Sequence, residues 1–233
     1  TALKALNEHS NIELYLVVAA SALLDRYGAA DKFIAEDGFN INNRIYMVLE
    51  GENHASMAKT TGIGILELST IIDNIKPDMV VTIADRYETM ATAISASYLG
   101  VPLVHIQGGE VTGNIDEKVR HSITKLADIH LVANEDAAKR VKKLGEEEGC
   151  IFITGCPSID IAAEVVKKDT SNFNIYDKYS GSGDSLDLSN GYIIAMQHPV
   201  TTETEDSRYQ IEETLHALNE MEIPTLWFWP NVD

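Results

Sequence analysis

Short apolar runs alternate along this chain with longer segments in which apolar residues recur at helical spacing. The runs are rich in β-branched residues and predict strands at 12–18, 44–49, 79–84, 102–106, 129–133 and 151–153. The segments between them predict helices over 53–75, 88–99, 117–127 and 135–144. Strands that alternate with helices are typical of an α/β fold, in which right-handed crossovers build a parallel sheet.

A polar, turn-rich segment interrupts this alternation at 168–190. Its repeated Ser and Gly residues predict a linker or surface segment between two domains. We therefore expect an N-terminal Rossmann-like domain at 1–167 and the start of a second Rossmann-like domain at 191–233. The elements predicted in the second domain are a strand at 192–197, a helix at 206–220 and a strand at 225–229.

Composition narrows the functions open to these 233 residues. The formal net charge of −18 argues against a nucleic-acid partner, because nucleic-acid binding needs a basic surface. No apolar stretch reaches the roughly 20 residues that span a bilayer, and no signal peptide opens the sequence. We therefore expect a cytoplasmic protein with no membrane partner. Cys150 and Cys156 flank the strand at 151–153, which predicts buried or semi-buried free thiols. No second Cys/His pair accompanies them, which predicts no metal site.

Polar side chains follow two of the predicted strands directly. Asp85 and Arg86 come after the strand at 79–84, and the segment Gln-Gly-Gly-Glu at 107–110 comes after the strand at 102–106. In an open α/β sheet, ligands bind in the crevice outside the carboxyl ends of the strands. The two glycines permit positive φ angles and a close approach of backbone to ligand. Acids at two strand ends therefore predict a single active site.

Five segments together resemble a known enzyme family. They are DRYE at 85–88, HIQGGE at 105–110, IDE at 115–117, RHSITKL at 120–126 and QHPVTT at 197–202. In this order they resemble the hydrolysing UDP-N-acetylglucosamine 2-epimerases that begin sialic acid biosynthesis. The resemblance implies two Rossmann-like domains of the GT-B type, with a UDP-sugar substrate in the cleft between them. It also implies no cofactor, a homodimer or homotetramer, a further strand before residue 1 and an incomplete second domain.

The resemblance also implies a role for individual residues. The catalytic candidates are Asp85, Glu110, Asp116 and His198. The substrate-binding candidates are Arg86, Gln107, Gly108, Gly109, Arg120, His121, Thr201 and Thr202. In the family reaction a base takes the proton from C2, UDP leaves C1, and the 2-acetamidoglucal is hydrated to free N-acetylmannosamine. Carboxylates suit these steps because their surroundings decide which of them is protonated.

Structural roles remain open for several of these residues. Asp85 and Asp116 each precede a predicted helix and are suited to cap it. Arg86 either binds phosphate, holds Asp85 ionised, or forms a surface ion pair of little energetic value. Thr201 and Thr202 either donate to phosphate or cap the next helix.

Two positions depart from some members of the family. Gln107 stands where some members carry Glu, and a carboxamide cannot transfer protons. Ala22 stands where some members carry His. Because of these differences, a second substrate remains open for the same reaction. It is UDP-N,N′-diacetylbacillosamine, in legionaminic acid synthesis. A non-hydrolysing 2-epimerase, a related glycosyltransferase and a non-catalytic nucleotide-sugar-binding module also remain open.

Overall fold

The computed structural model describes residues 1–51, 53–83, 85–113, 115–168, 174–179, 181–199 and 205–229. The chain divides into two compact units, Thr1–Val165 and Val166–Asp233. The helices that begin before this division are α1 (Ala2–Glu8), α2 (Ala30–Glu36), α3 (His54–Ile75), α4 (Thr89–Tyr98), α5 (Ile115–Leu126), α6 (Glu135–Lys143) and α7 (Pro157–Val166). The strands of the first unit are β1 (Leu16–Ala19), β2 (Ile41–Ile45), β3 (Val80–Ile83), β4 (Leu103–Ile106), β5 (Ile129–Val132) and β6 (Ile151–Ile153).

The larger sheet of the first unit consists of β3, β4, β5 and β6, side by side in chain order. All its neighbouring strands are parallel. The connections contain α4, α5 and α6, and the apolar side chains of α4 and α5 share a core with β4. Because all four strands run in the same direction, their carboxyl ends lie along one edge of the sheet. The residues that follow β3 and β4 are therefore neighbours.

A row of buried polar side chains crosses this sheet. Thr82, His105 and His130 are register partners on adjacent strands, and all three are buried. Nδ1 of His105 lies 3.2 Å from Oγ1 of Thr124 in α5. The Thr124 hydroxyl donates to the carbonyl of Arg120 at 3.0 Å. These hydrogen bonds tie the middle of β4 to the helix that carries Arg120.

A second, two-stranded parallel sheet is formed by β1 and β2. One apolar core joins it to α3 and α4, through residues such as Ile45, Met47, Leu68 and Ala91. Helix α3 begins with a capping box at Asn53, whose side chain accepts hydrogen bonds from two backbone N–H groups of the first turn. The long apolar face of α3 thus covers both β1–β2 and the start of the larger sheet.

The second unit contains α8 (Ile175–Lys178), β7 (Ile193–Met196), α9 (Ser207–Met221) and β8 (Thr225–Phe228). Strands β7 and β8 pair in parallel, which requires a crossover between them, and α9 lies in it. The single turn of α8 lies within the segment 168–190 that was predicted to be a linker. The domain boundaries at 1–167, 168–190 and 191–233 stay a prediction.

The predicted α/β class with parallel strands is confirmed, with local differences. The strand expected at 44–49 begins and ends earlier, as β2. Its asparagines explain this shift, because Oδ1 of Asn42 accepts a hydrogen bond from the N–H of Leu16 at 2.8 Å and so supports the pairing of β2 with β1. Helices α2 and α7 were not predicted. Helix α7 starts at Pro157, where the missing N–H costs no hydrogen bond. Among the described helices, none combines the length and the apolar character that crossing a bilayer requires.

Candidate active site

An ion pair between Asp85 and Arg120 joins the end of β3 to helix α5. A carboxylate oxygen of Asp85 contacts Nη2 of Arg120. Arg120 is only 3% exposed, whereas the Asp85 side chain is 22% exposed. Burial lowers the pKa of the Arg120 guanidinium, and the carboxylate gives its charge a partner. The guanidinium in turn favours the ionised form of Asp85, which keeps part of its surface open to a ligand.

Arg120 also reaches the loop that follows β4. Its Nη1 donates to the backbone carbonyl of Glu110 at 2.9 Å and lies 3.4 Å from Oγ1 of Thr112. The Glu110 residue itself is half-buried. One buried side chain therefore holds together the polar residues that follow two neighbouring strands, Asp85 and Glu110.

The turn between β4 and Glu110 has a constrained backbone. Gln107 has a φ angle of 62°, and its N–H donates to the carbonyl of Leu131 at 2.8 Å. Gly109 has a φ angle of 81°, and a Cβ atom at this position would collide with the carbonyl of Ala137 in α6. Both conformation and space therefore require glycine at position 109.

Gly108 is packed as closely as its neighbour. A Cβ atom there would lie 2.9 Å from Oγ1 of Thr124 and 3.0 Å from Nδ1 of His105. The carbonyl of Gly109 accepts a hydrogen bond from Nη1 of Arg140 at 3.1 Å. Both glycines are buried, and they let the turn approach α5 and α6. Their contact with a substrate stays a prediction.

The side chain of Gln107 crosses the carboxyl edge of the sheet to Cys156. Its Nε2 donates to Sγ of Cys156 at 3.0 Å. Cys150 and Cys156 are both free thiols of intermediate exposure, as the sequence predicted. The contact with Gln107 was not predicted, because the two residues lie 49 positions apart in the sequence.

The first turn of α5 differs from the prediction. The helix begins at Ile115, so Asp116 lies inside it, and the prediction that Asp116 caps a helix over 117–127 was wrong. Glu117 folds back over the preceding loop and accepts the N–H groups of Thr112 and Gly113 at 3.1 and 2.7 Å. The hydrogen bond from Gly113 is the main reason that the pKa of Glu117 is lowered. Asp116 is half-buried and also has a partner.

Arg86 pairs with Glu88. Its Nη2 and Nε atoms lie 2.9 and 3.2 Å from the two carboxylate oxygens of Glu88. Glu88, which is 8% exposed, is also the N-cap residue of α4. The alternative that Asp85 caps this helix is therefore excluded. Arg120 is a guanidinium partner of Asp85. Phosphate binding by Arg86 stays a prediction.

The two histidine candidates lie in different units. His121 is half-buried on α5, with its Nε2 atom 3.9 Å from Oε1 of Glu117. His198 follows β7 in the second unit. Within the described part of the chain, Nδ1 of each is buried and makes no hydrogen bond. Thr201 and Thr202 lie outside the described residues, and their roles stay a prediction.

The structure thus brings together four candidates at the carboxyl edge of the larger sheet: Asp85, Gln107, Glu110 and Arg120. The arrangement supplies carboxylates that can exchange protons and a cation that keeps one of them charged. Cys156 was missed as part of this edge, although its place just after β6 is the signal that marked the others. Over the described ranges, no three His, Cys, Asp or Glu side chains form a group that could hold a metal ion.

A parallel sheet with acids along its carboxyl edge defines an α/β protein with a candidate ligand site at its strand ends. A family model described as UDP-N-acetylglucosamine 2-epimerase matches residues 4–233, and the chain belongs to this family. The family resemblance of the five segments is confirmed.

Two characterised relatives show how far the similarity extends. The chain is 32% identical over 231 residues to the UDP-N,N′-diacetylbacillosamine 2-epimerase (hydrolyzing) of Legionella pneumophila, and the match covers 99% of this chain and 59% of that protein. It is 34% identical over 198 residues to the UDP-N-acetylglucosamine 2-epimerase of Neisseria meningitidis, covering 85% of this chain and 50% of that protein. The chain therefore spans between a half and three fifths of the length of these relatives.

The fold agrees with that of a solved structure. The crystal structure of UDP-GlcNAc 2-epimerase from Neisseria meningitidis bound to UDP-GlcNAc matches with a TM-score of 0.77 and 17% sequence identity. The match covers 97% of this chain and 60% of that one. This likeness confirms the fold that the family resemblance implied.

Proposed function

We propose that the full-length protein is a hydrolysing UDP-N-acetylglucosamine 2-epimerase that releases N-acetylmannosamine and UDP. The observation that carries the proposal is the Asp85–Arg120 ion pair beside the Glu110 loop, at the carboxyl edge of a sheet in a chain of this family. The site combines an ionised, partly exposed carboxylate with a second acid on the neighbouring strand.

In the first step, the ionised carboxylate of Asp85 takes the proton from C2 of the sugar. The C2–H electron pair forms the C1=C2 double bond, and UDP leaves C1 with the electrons of the C1–O bond. Arg120 supports this role because its contact fixes the position of the Asp85 carboxylate, and a general base must lie within reach of the proton that it takes. His198 is assigned to the departing UDP, together with Arg86, His121, Thr201 and Thr202 as phosphate or sugar contacts.

In the second step, water adds to the double bond of the 2-acetamidoglucal. A proton is delivered to C2 on the face opposite the one that lost it. The water oxygen bonds to C1, the proton that the water loses passes to a carboxylate of the site, and Asp85 releases the C2 proton to solvent. Glu110 is assigned as the acid for this step, because it follows the strand next to that of Asp85 and its loop is held by Arg120. Asp116, in the first turn of α5, is assigned to assist the hydration.

A second candidate substrate is UDP-N,N′-diacetylbacillosamine. It is supported by the UDP-N,N′-diacetylbacillosamine 2-epimerase (hydrolyzing) of Legionella pneumophila, at 32% identity. The GDP/UDP-N,N′-diacetylbacillosamine 2-epimerase (hydrolyzing) of Campylobacter jejuni, at 30% identity, also supports it. Gln107, at a position where some members carry Glu, also favours a sugar contact that differs within the family. A cytoplasmic homodimer or homotetramer is the assembly that the family resemblance supports.

Proton NMR in D₂O tests the proposal on purified full-length protein with each UDP-sugar, without added metal and in the presence of EDTA. Because carboxylates perform the proton transfers, we expect turnover with EDTA present. Free 2-epimerised sugar with deuterium at C2, together with UDP, is the expected result. A UDP-linked epimer would instead identify a non-hydrolysing enzyme. UDP binding without turnover or deuterium exchange would point to a glycosyltransferase or a binding module and would overturn the proposal.

A further inference from the structure

The contact between Gln107 and Cys156 links two strand ends that are not neighbours in the sheet. Gln107 follows β4, Cys156 follows β6, and β5 lies between these strands. Nε2 of Gln107 donates to Sγ of Cys156 at 3.0 Å. The backbone of Gln107 is held separately, by the hydrogen bond from its N–H to the carbonyl of Leu131. The thiol therefore constrains the side chain of Gln107 rather than the course of the chain.

This contact decides which end of the carboxamide faces away from the thiol. A carboxamide has a donor end, the NH₂ group, and an acceptor end, the carbonyl oxygen. Because the NH₂ group of Gln107 donates to sulfur, the carbonyl oxygen Oε1 is the end left for another partner. Gln107 and Cys156 are both half-buried. They lie along the edge of the sheet that also carries Asp85 and Glu110.

We infer that Cys156 is a positioning residue, which orients Gln107 so that its Oε1 accepts a hydrogen bond from a hydroxyl or amide N–H of the substrate's hexose. The inference rests on the proposed function, since it needs a UDP-sugar as ligand. Gln107 in this orientation recognises the sugar and takes no part in proton transfer. UDP has no hexose, so its binding does not depend on the contact.

Three variants of the full-length protein test this inference. In Cys156→Ala the acceptor for the NH₂ group is lost, so the dissociation constant for the UDP-sugar is expected to rise about 5-fold, as for one neutral hydrogen bond. The dissociation constant for UDP should stay unchanged. Cys156→Ser keeps an acceptor and should recover most of the affinity. In a Gln107→Ala background, Cys156→Ala should have no further effect, because the side chain that it orients is absent.

Calorimetric titration with UDP-sugar and with UDP measures these constants, and steady-state kinetics should place the loss in KM rather than in kcat. Cys150→Ala is the matched control, because Cys150 is the other free thiol of intermediate exposure, whereas the hydrogen bond from Gln107 goes to Cys156. Equal losses of UDP and UDP-sugar affinity in Cys156→Ala would show a general structural role and overturn the inference. An undiminished effect in the Gln107→Ala background would also overturn it. A wild-type protein that neither bound nor converted a UDP-sugar would overturn the proposed function, and the inference with it. A wild-type protein that converts the UDP-sugar, together with a Cys156→Ala variant that fails the tests above, would overturn the inference alone.

Discussion

Arg120 holds the carboxylate of Asp85 with one nitrogen of its guanidinium and the backbone carbonyl of Glu110 with another. Asp85 follows β3 and Glu110 is in the loop after β4, so a single buried cation connects the ends of two adjacent strands. Both partners are positioned by secondary structure. Asp85 follows strand β3, and Arg120 lies on helix α5. This geometry leads to predictions for catalysis and for stability.

The variant Asp85→Asn is expected to lose at least about 100-fold in kcat, because a general base contributes roughly 10²- to 10⁴-fold and a carboxamide cannot accept the C2 proton. Initial rates followed by NMR at saturating UDP-sugar measure the loss. The affinity for UDP should be retained, and Asp73→Asn, an exposed position on α3, serves as the control. Activity within a few-fold of wild type would remove Asp85 from the catalytic role.

The variant Arg120→Gln is expected to lower the free energy of unfolding by about 3 kcal/mol, because it leaves a partly buried carboxylate without its partner. Urea denaturation measures this change. Lys4→Gln breaks an exposed ion pair with Glu8 and should cost less than about 1 kcal/mol. Adding Asp85→Asn to Arg120→Gln should recover part of the lost stability. A double variant that is no more stable than Arg120→Gln would contradict the coupling.

The variant Gly109→Ala is expected to destabilise the protein by more than about 2 kcal/mol, since a methyl group would both strain a positive φ and press on the Ala137 carbonyl of α6. Gly113→Ala is the matched control. Gly113 also has a positive φ, of 77°, but a Cβ atom there would meet nothing within 4 Å. Equal unfolding midpoints for the two variants would show that packing against α6 contributes nothing.

His130 predicts a dependence of stability on pH. Burial is the main cause of its lowered pKa, which the nearby Glu146 partly opposes. The unfolded chain therefore binds more protons than the folded protein once the pH falls below the ordinary value of about 6.5. Above that pH the contribution of His130 to the free energy of unfolding is fully present. As the pH falls below it, the free energy of unfolding decreases by at most about 1.4 kcal/mol per pH unit.

Urea unfolding between pH 7.5 and 5.5 measures this dependence. In the variant His130→Gln the free energy of unfolding should depend less on pH, because the glutamine side chain does not bind a proton. His9→Gln, at an exposed position, should leave the slope unchanged. A slope in His130→Gln that equals the wild-type slope would refute the role of His130.

Hydrophobic spacing is sufficient to locate most strands and the residues that follow them. The runs that form β3 and β4 are β-branched and uncharged enough to indicate strands, and a parallel sheet places their carboxyl ends at one edge. The order of residues along the chain therefore predicts that Asp85 and Glu110 lie at the same edge of the sheet. The burial expected of such runs holds for β4 but not for β3, where Val81 and Ile83 are exposed. Helix boundaries are predicted less closely: α5 begins two residues earlier than expected, because capping signals constrain a helix end only to within a residue or two.

Tertiary structure alone decided which side chains pair across that edge. Arg86 is next to Asp85 in the sequence, yet it turns to Glu88, while the guanidinium beside Asp85 belongs to Arg120 on another element. The partner of Gln107 is likewise remote, on the far side of β5. Local sequence sets periodicity and strand ends, whereas the direction of each side chain depends on the packing of helices against the sheet. A strand end can thus be recognised from its residues, but the partner of a charged or polar group depends on contacts between distant parts of the chain.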